Sequence, residues 1–89
     1  MIKEEIIIKN KLGLHARAAS KLVDVSCQFA SEISLTFNDK QVDGKSIMSV
    51  MLLAAAKGSQ LFITANGSDE VIAMQAIKEL IKNRFDEEE

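Results

Sequence analysis

Ile33-Ser34-Leu35-Thr36-Phe37-Asn38-Asp39-Lys40-Gln41-Val42 is the stretch whose reading decides the fold. Ile33, Leu35 and Phe37 alternate with Ser34 and Thr36, the period of a half-buried strand, and Asn38-Asp39 supplies turn chemistry before a second extended run from Lys40 to Val42. Two strands joined this tightly must run antiparallel, because a parallel pair needs a long crossover. Toward the N-terminus, Ala16 to about Gln28 puts Ala19, Leu22, Val23, Ser26 and Ala30 at helical spacing, and Ile2 to Ile8 is a β-branched run with Ile2, Ile6 and Ile8 on one side. A loop from Lys9 to Leu14, hinged at Gly13, joins the two. Toward the C-terminus, Ser46 is an N-cap for a helix from Ile47 to about Ala56, with Gly58 as its terminating residue. Leu61, Ile63 and Ala65 alternate as a fourth strand and Asn66-Gly67 turns the chain. Ser68 or Asp69 then caps a last helix with Ala73, Ala76, Ile77, Leu80 and Ile81 in one stripe. The order β-α-β-β-α-β-α predicts an α+β, two-layer open-faced sandwich: a four-stranded antiparallel sheet with three helices on one face.

The whole chain, 1–89, reads as a single domain, since a chain this short does not hold two cores. With 47% apolar and 27% charged residues it has the aliphatic content of a folded core. Net charge is −2, but Asp86, Glu87, Glu88 and Glu89 close the chain as an acidic run, read here as a solvated, fraying tail, so the remainder is mildly basic. Lys9, Lys11, Arg17 and Lys21 crowd one segment, with Asp24 the only acid between Ile6 and Ser31, which suggests a local anion site. That cluster is too sparse and too poor in aromatics for a nucleic-acid surface. One cysteine, Cys27, and one histidine exclude a disulfide framework and the usual structural zinc sets, so no metal and no cofactor is expected. No membrane span or signal segment is read, and the expected location is cytoplasmic.

His15 stands where the Gly13 loop meets the first helix, in Gly13-Leu14-His15-Ala16-Arg17. The unpaired N–H groups of a first helical turn and the positive end of its dipole favour an anion. Arg17 adds a planar donor fork suited to phosphate oxygens. The same positive field favours the neutral imidazole, whose lone pair is nucleophilic. On spacing alone, a plain N-cap or loop histidine followed by a solvated helix charge is the preferred reading, because His-x-Arg is a very common triplet.

Gly13-Leu14-His15-Ala16-Arg17, Gly44-Lys45-Ser46-Ile47-Met48 and Leu53-Ala54-Ala55-Ala56-Lys57-Gly58 together resemble, in order and spacing, the HPr family, the histidine-containing phosphocarriers of the bacterial phosphoenolpyruvate-dependent phosphotransferase system. The resemblance covers essentially the whole chain. It implies that His15 carries a phosphoryl group accepted from Enzyme I and passed to IIA domains of a sugar or nitrogen-related branch, with Arg17 helping to hold the phosphate. It also implies that Ser46 matches the family's regulatory serine, the target of a serine kinase/phosphorylase in bacteria that possess one. Such a chain is a component of a phosphotransferase relay rather than a stand-alone enzyme. The family usually has proline after the arginine where this chain has Ala18, a good helix former that keeps the helix start with less preorganisation.

Gly44-Lys45-Ser46 also looks like the end of a nucleotide-binding P-loop, but that motif needs glycine where Asp39 stands, and ATPase activity is rejected. In the second helix Ile47, Met48, Val50, Met51, Leu52 and Leu53 are apolar nearly all round, more than one face of a sheet can cover. Val50 and Leu53 are assigned to the core, and Ile47, Met48, Met51 and Leu52, with Ala16 beside the histidine, to partner docking. Two competing readings are a purely regulatory module switched at Ser46, which would not need His15, and a small-anion binding domain, which would need Arg17 but not the imidazole.

Overall fold

The computed structural model describes residues 1–87; Glu88 and Glu89 of the acidic run lie outside the described residues. Strands β1 (Ile2–Ile7), β2 (Glu32–Phe37), β3 (Lys40–Asp43) and β4 (Gln60–Asn66) form one antiparallel sheet in the order β1-β4-β2-β3. Helices α1 (Ala16–Ser26), α2 (Ile47–Leu52) and α3 (Glu70–Lys82) complete the β-α-β-β-α-β-α order. The hairpin closes as the alternation requires: Asn38 and Asp39 are both left-handed, at φ 52° and 65°, and Phe37 pairs with Lys40.

Register places the core. Ile33 faces Ala65 and Leu35 faces Ile63 across β2 and β4, while Ile6 faces Leu61 across β1 and β4, and all six are buried. Against this face pack Ala19 and Leu22 of α1, Val50 of α2, and Ala73, Met74, Ile77 and Ile81 of α3, also buried. Ala76 and Leu80, assigned to the same α3 stripe, are only half-buried, so the stripe is centred one position away. On the edge strand β1, Glu4 meets Lys78 of α3 at 2.5 Å, and an acidic side chain on an edge strand discourages pairing with another chain.

Two predicted helix ends move. Helix α1 stops at Ser26 rather than Gln28, because the chain tightens into a turn, Gln28 N–H to Val25 O and Phe29 N–H to Ser26 O. The N–H groups of Ala30 and Ser31 then go to the Asp69 carboxylate at 2.8 and 2.9 Å, so Ala30 is no part of the helix. Asp69 accordingly occupies the N-cap position of α3 while its side chain serves the α1–β2 connection instead of its own helix. Helix α2 ends at Leu52, not Ala56: Ala54 is left-handed at φ 51°, and Ala55, buried, turns its carbonyl to the N–H of Leu14 at 2.8 Å. Gly58 lies beyond that break, at φ 90°, and its N–H bonds to Ile8 O at 2.8 Å as the chain enters β4.

The acidic run is the largest correction. Arg84, Phe85 and Asp86 form one turn in which all three residues are left-handed, with φ between 55° and 62°. That conformation costs roughly 1–2 kcal/mol for each non-glycine residue. Phe85 is fully buried, which contributes roughly 1.5–3 kcal/mol, and Lys21 Nζ donates to its carbonyl at 2.7 Å. The described part of the tail is therefore tied to the body of the fold rather than frayed.

Candidate functional site

The segment from Asn10 to Arg17 is built around one backbone approach. Gly13, at φ 67°, brings the chain so close to α2's exit that a Cβ there would lie 2.4 Å from the carbonyl oxygen of Ala55. Leu14 is buried and its N–H takes the same oxygen, which fixes where the next residue points. His15 is the N-cap of α1: its carbonyl accepts from Ala19 N–H at 2.8 Å, and its ring Nδ1 accepts from Arg17 N–H at 3.3 Å. The ring's other nitrogen, Nε2, meets Glu87 Oε2 at 2.6 Å.

These two contacts define the ring's state. A carboxylate only accepts, so Nε2 carries the proton, and a backbone N–H only donates, so Nδ1 presents its lone pair toward the helix start. Burial pushes the Glu87 carboxyl up, but hydrogen bonds from Asn10 and His15 outweigh it and hold the group below its usual range, so it is ionised at neutral pH. Arg17 is exposed one half-turn into α1, and among the described residues no hydrogen bond or ion pair engages its guanidinium.

Ser46 is the N-cap of α2, its hydroxyl accepting from Ser49 N–H at 3.4 Å. Val50 and Leu53 are buried, whereas Ile47, Met48, Met51 and Leu52 are exposed, Met48 and Leu52 at 68% each; Ala16 is exposed as well. The two helices run in opposite directions. Leu14, at the start of α1, is bonded to Ala55 past the end of α2, while Lys45, ahead of α2, donates from Nζ to Phe29 O past the end of α1 at 2.8 Å. Ser46 thus sits about one α1 length, on the order of 15 Å, from His15.

The family model for the "PTS HPr component phosphorylation site" matches residues 2–83. The chain belongs to the HPr family. It is 51% identical over 89 residues to the phosphocarrier protein HPr of Neisseria meningitidis serogroup B, with both chains covered in full. It is 49% identical to the HPr of Xylella fastidiosa, with 99% of each chain covered. A crystal structure of HPr from Thermoanaerobacter tengcongensis superposes with a TM-score of 0.96 at 40% identity, covering all of both chains. This HPr-family chain is thus a phosphocarrier of the phosphotransferase system, on the fold its alternation and spacing predict. Among the described residues no helix is long and apolar enough to cross a membrane and no cluster of metal-ligating side chains occurs. The contacts of Asn10 and Glu87 to the site escape sequence reading, because Glu87 lies 72 residues from His15 and 77 from Asn10. The one available signal is Phe85, a lone large apolar residue inside a charged run.

Proposed function

We propose that residues 1–89 act as one phosphocarrier unit in which His15 Nδ1 accepts a phosphoryl group from Enzyme I and hands it to IIA domains. The observation that carries this reading is the Nδ1 lone pair aimed at the N-terminus of α1. A phosphoryl group on Nδ1 replaces the contact to Arg17 N–H and puts its oxygens among the unpaired first-turn N–H groups, where the helix dipole stabilises negative charge. Arg17, two residues along and with its guanidinium engaged by none of the described residues, adds a bidentate clamp. The exposed Ala16, Ile47, Met48, Met51 and Leu52 supply an apolar docking face, with methionines that repack against different partners. Ser46 at the head of that face is the regulatory position, where a kinase adds charge to the docking surface at a distance from the reacting ring. A relay of this kind between soluble partners fits a cytoplasmic protein.

Incubation with Enzyme I and phosphoenolpyruvate tests the reading: an acid-labile phosphoramidate should form and pass on to a IIA protein. A chain that takes up no phosphoryl group under these conditions would overturn it.

A further inference from the structure

Asn10 is fully buried, in a loop, and spends its side chain on the site. Its Nδ2 donates to Gly13 O at 2.7 Å and to Glu87 Oε1 at 3.0 Å. Both partners are acceptors, so the amide's orientation is fixed by them. Its Oδ1 is buried and, among the described residues, accepts no hydrogen bond, a cost that a merely space-filling side chain would not incur. Glu87 in turn uses one oxygen for Asn10 and the other for His15 Nε2 at 2.6 Å. Phe85 and the bond from Lys21 to its carbonyl hold the intervening turn in its left-handed run, which brings the carboxylate to the ring. The three side chains form a file, Asn10 to Glu87 to His15, aimed at the nitrogen opposite the one that faces the helix.

We propose that Glu87, held by Asn10, is a positioning residue for phosphoryl transfer: it keeps the imidazole proton on Nε2 and balances the charge that the ring acquires as Nδ1 is phosphorylated. This rests on the reading of His15 as the acceptor. In the step, the Nδ1 lone pair forms the N–P bond as the bond from phosphorus to the phosphorylated donor breaks, and its electron pair leaves with the donor. Nε2 already holds its proton, so no proton moves. The phosphorylated ring bears the positive charge opposite the Glu87 carboxylate, a fixed charge in place before the reaction begins. A carboxylate behind a histidine acts this way in serine hydrolases, where it orients the ring and stabilises its charged form.

The test uses Glu87→Ala, Glu87→Gln and Asn10→Ala in the full chain, with phosphorylation rates from Enzyme I and 15N spectra of the His15 ring. Wild type should show one neutral tautomer, protonated at Nε2. Glu87→Ala should fold, still be phosphorylated on His15, react roughly ten- to a hundredfold more slowly, the scale of one charge-assisted hydrogen bond, and populate both tautomers. Glu87→Gln offers one acceptor oxygen to two donors and should fall between. Asn10→Ala should slow transfer in wild type and add little in the Glu87→Ala background, as expected for residues acting in series. Unchanged rate and unchanged tautomer in Glu87→Ala would overturn the proposal and leave Glu87 as an anchor for the tail. Failure of wild type itself to be phosphorylated would overturn the carrier reading, and this proposal with it.

Discussion

Leu14 N–H donates to Ala55 O at 2.8 Å, and this bond joins the loop that presents His15 to the exit of α2, the helix that exposes Ile47, Met48, Met51 and Leu52. The His15 ring and the exposed apolar surface of α2 are therefore positioned by one backbone contact. Gly13 makes it possible, because no side chain fits between the two segments.

Gly13→Ala places a Cβ against backbone atoms of Ala55 and Ala56 at a left-handed φ of 67°. We expect a loss of at least about 2 kcal/mol of stability, from strain and steric conflict together. Phosphoryl transfer should slow as well, because the His15 loop must shift. Urea denaturation measures the first effect and transfer kinetics the second. A variant as stable and as fast as wild type would show that the close approach is not needed.

Ala54 pays for a left-handed conformation that glycine adopts freely, just past the end of α2. Ala54→Gly should raise stability by about 0.5–1 kcal/mol, the relief of strain exceeding the added entropy of the unfolded chain. The midpoint of urea unfolding reads this directly, and a lowered midpoint would contradict it.

Asp69 ties the turn after α1 to the head of α3. The Ser31 hydroxyl first, and then the N–H groups of Ala30 and Ser31, hold its carboxyl below its ordinary value of 3.8. A depressed carboxylate contributes stability that is complete above the unfolded value and is lost as pH falls through the folded one. The melting temperature of wild type should therefore exceed that of Asp69→Asn at neutral pH, with the gap shrinking below about pH 4. A gap independent of pH would show that the ionised carboxylate is not what stabilises the turn.

How much of this was legible in the sequence depended on the range of the interactions involved. The alternation of Ile33, Leu35 and Phe37, and of Leu61, Ile63 and Ala65, reports a sheet face directly, because each residue's burial is set by its own strand. Leu53-Ala54-Ala55-Ala56 reads as helix by propensity, yet the chain leaves the helix there and Ala55 turns its carbonyl to Leu14. His15 was visible at its helix start, whereas the file from Asn10 through Glu87 was not. Its members come from opposite ends of the chain, and an acidic run before a terminus ordinarily stays in water. The burial of Phe85, with the bond from Lys21 to its carbonyl, holds it otherwise.

Ser46 stands at the head of α2, at the other end of α1 from His15. A phosphate there brings roughly −1.5 to −2 charges beside Ile47 and Met48, where burial against a partner would require desolvating them. Ser46→Asp, a partial mimic, should keep wild-type thermal stability because the helix dipole accepts the charge, and should bind Enzyme I more weakly. Calorimetric titration of both proteins distinguishes the outcomes. Equal affinity with a lowered melting temperature would reduce Ser46 to an N-cap.

The central claim is that Nδ1 of His15 carries the phosphoryl group, and 31P–15N NMR of the ring-labelled protein after reaction with Enzyme I and phosphoenolpyruvate tests it most directly. The account predicts phosphorus coupled to Nδ1, a proton retained on Nε2, and no phosphoramidate in His15→Ala. Phosphorus on Nε2, or a phosphoramidate that persists in His15→Ala, would contradict it.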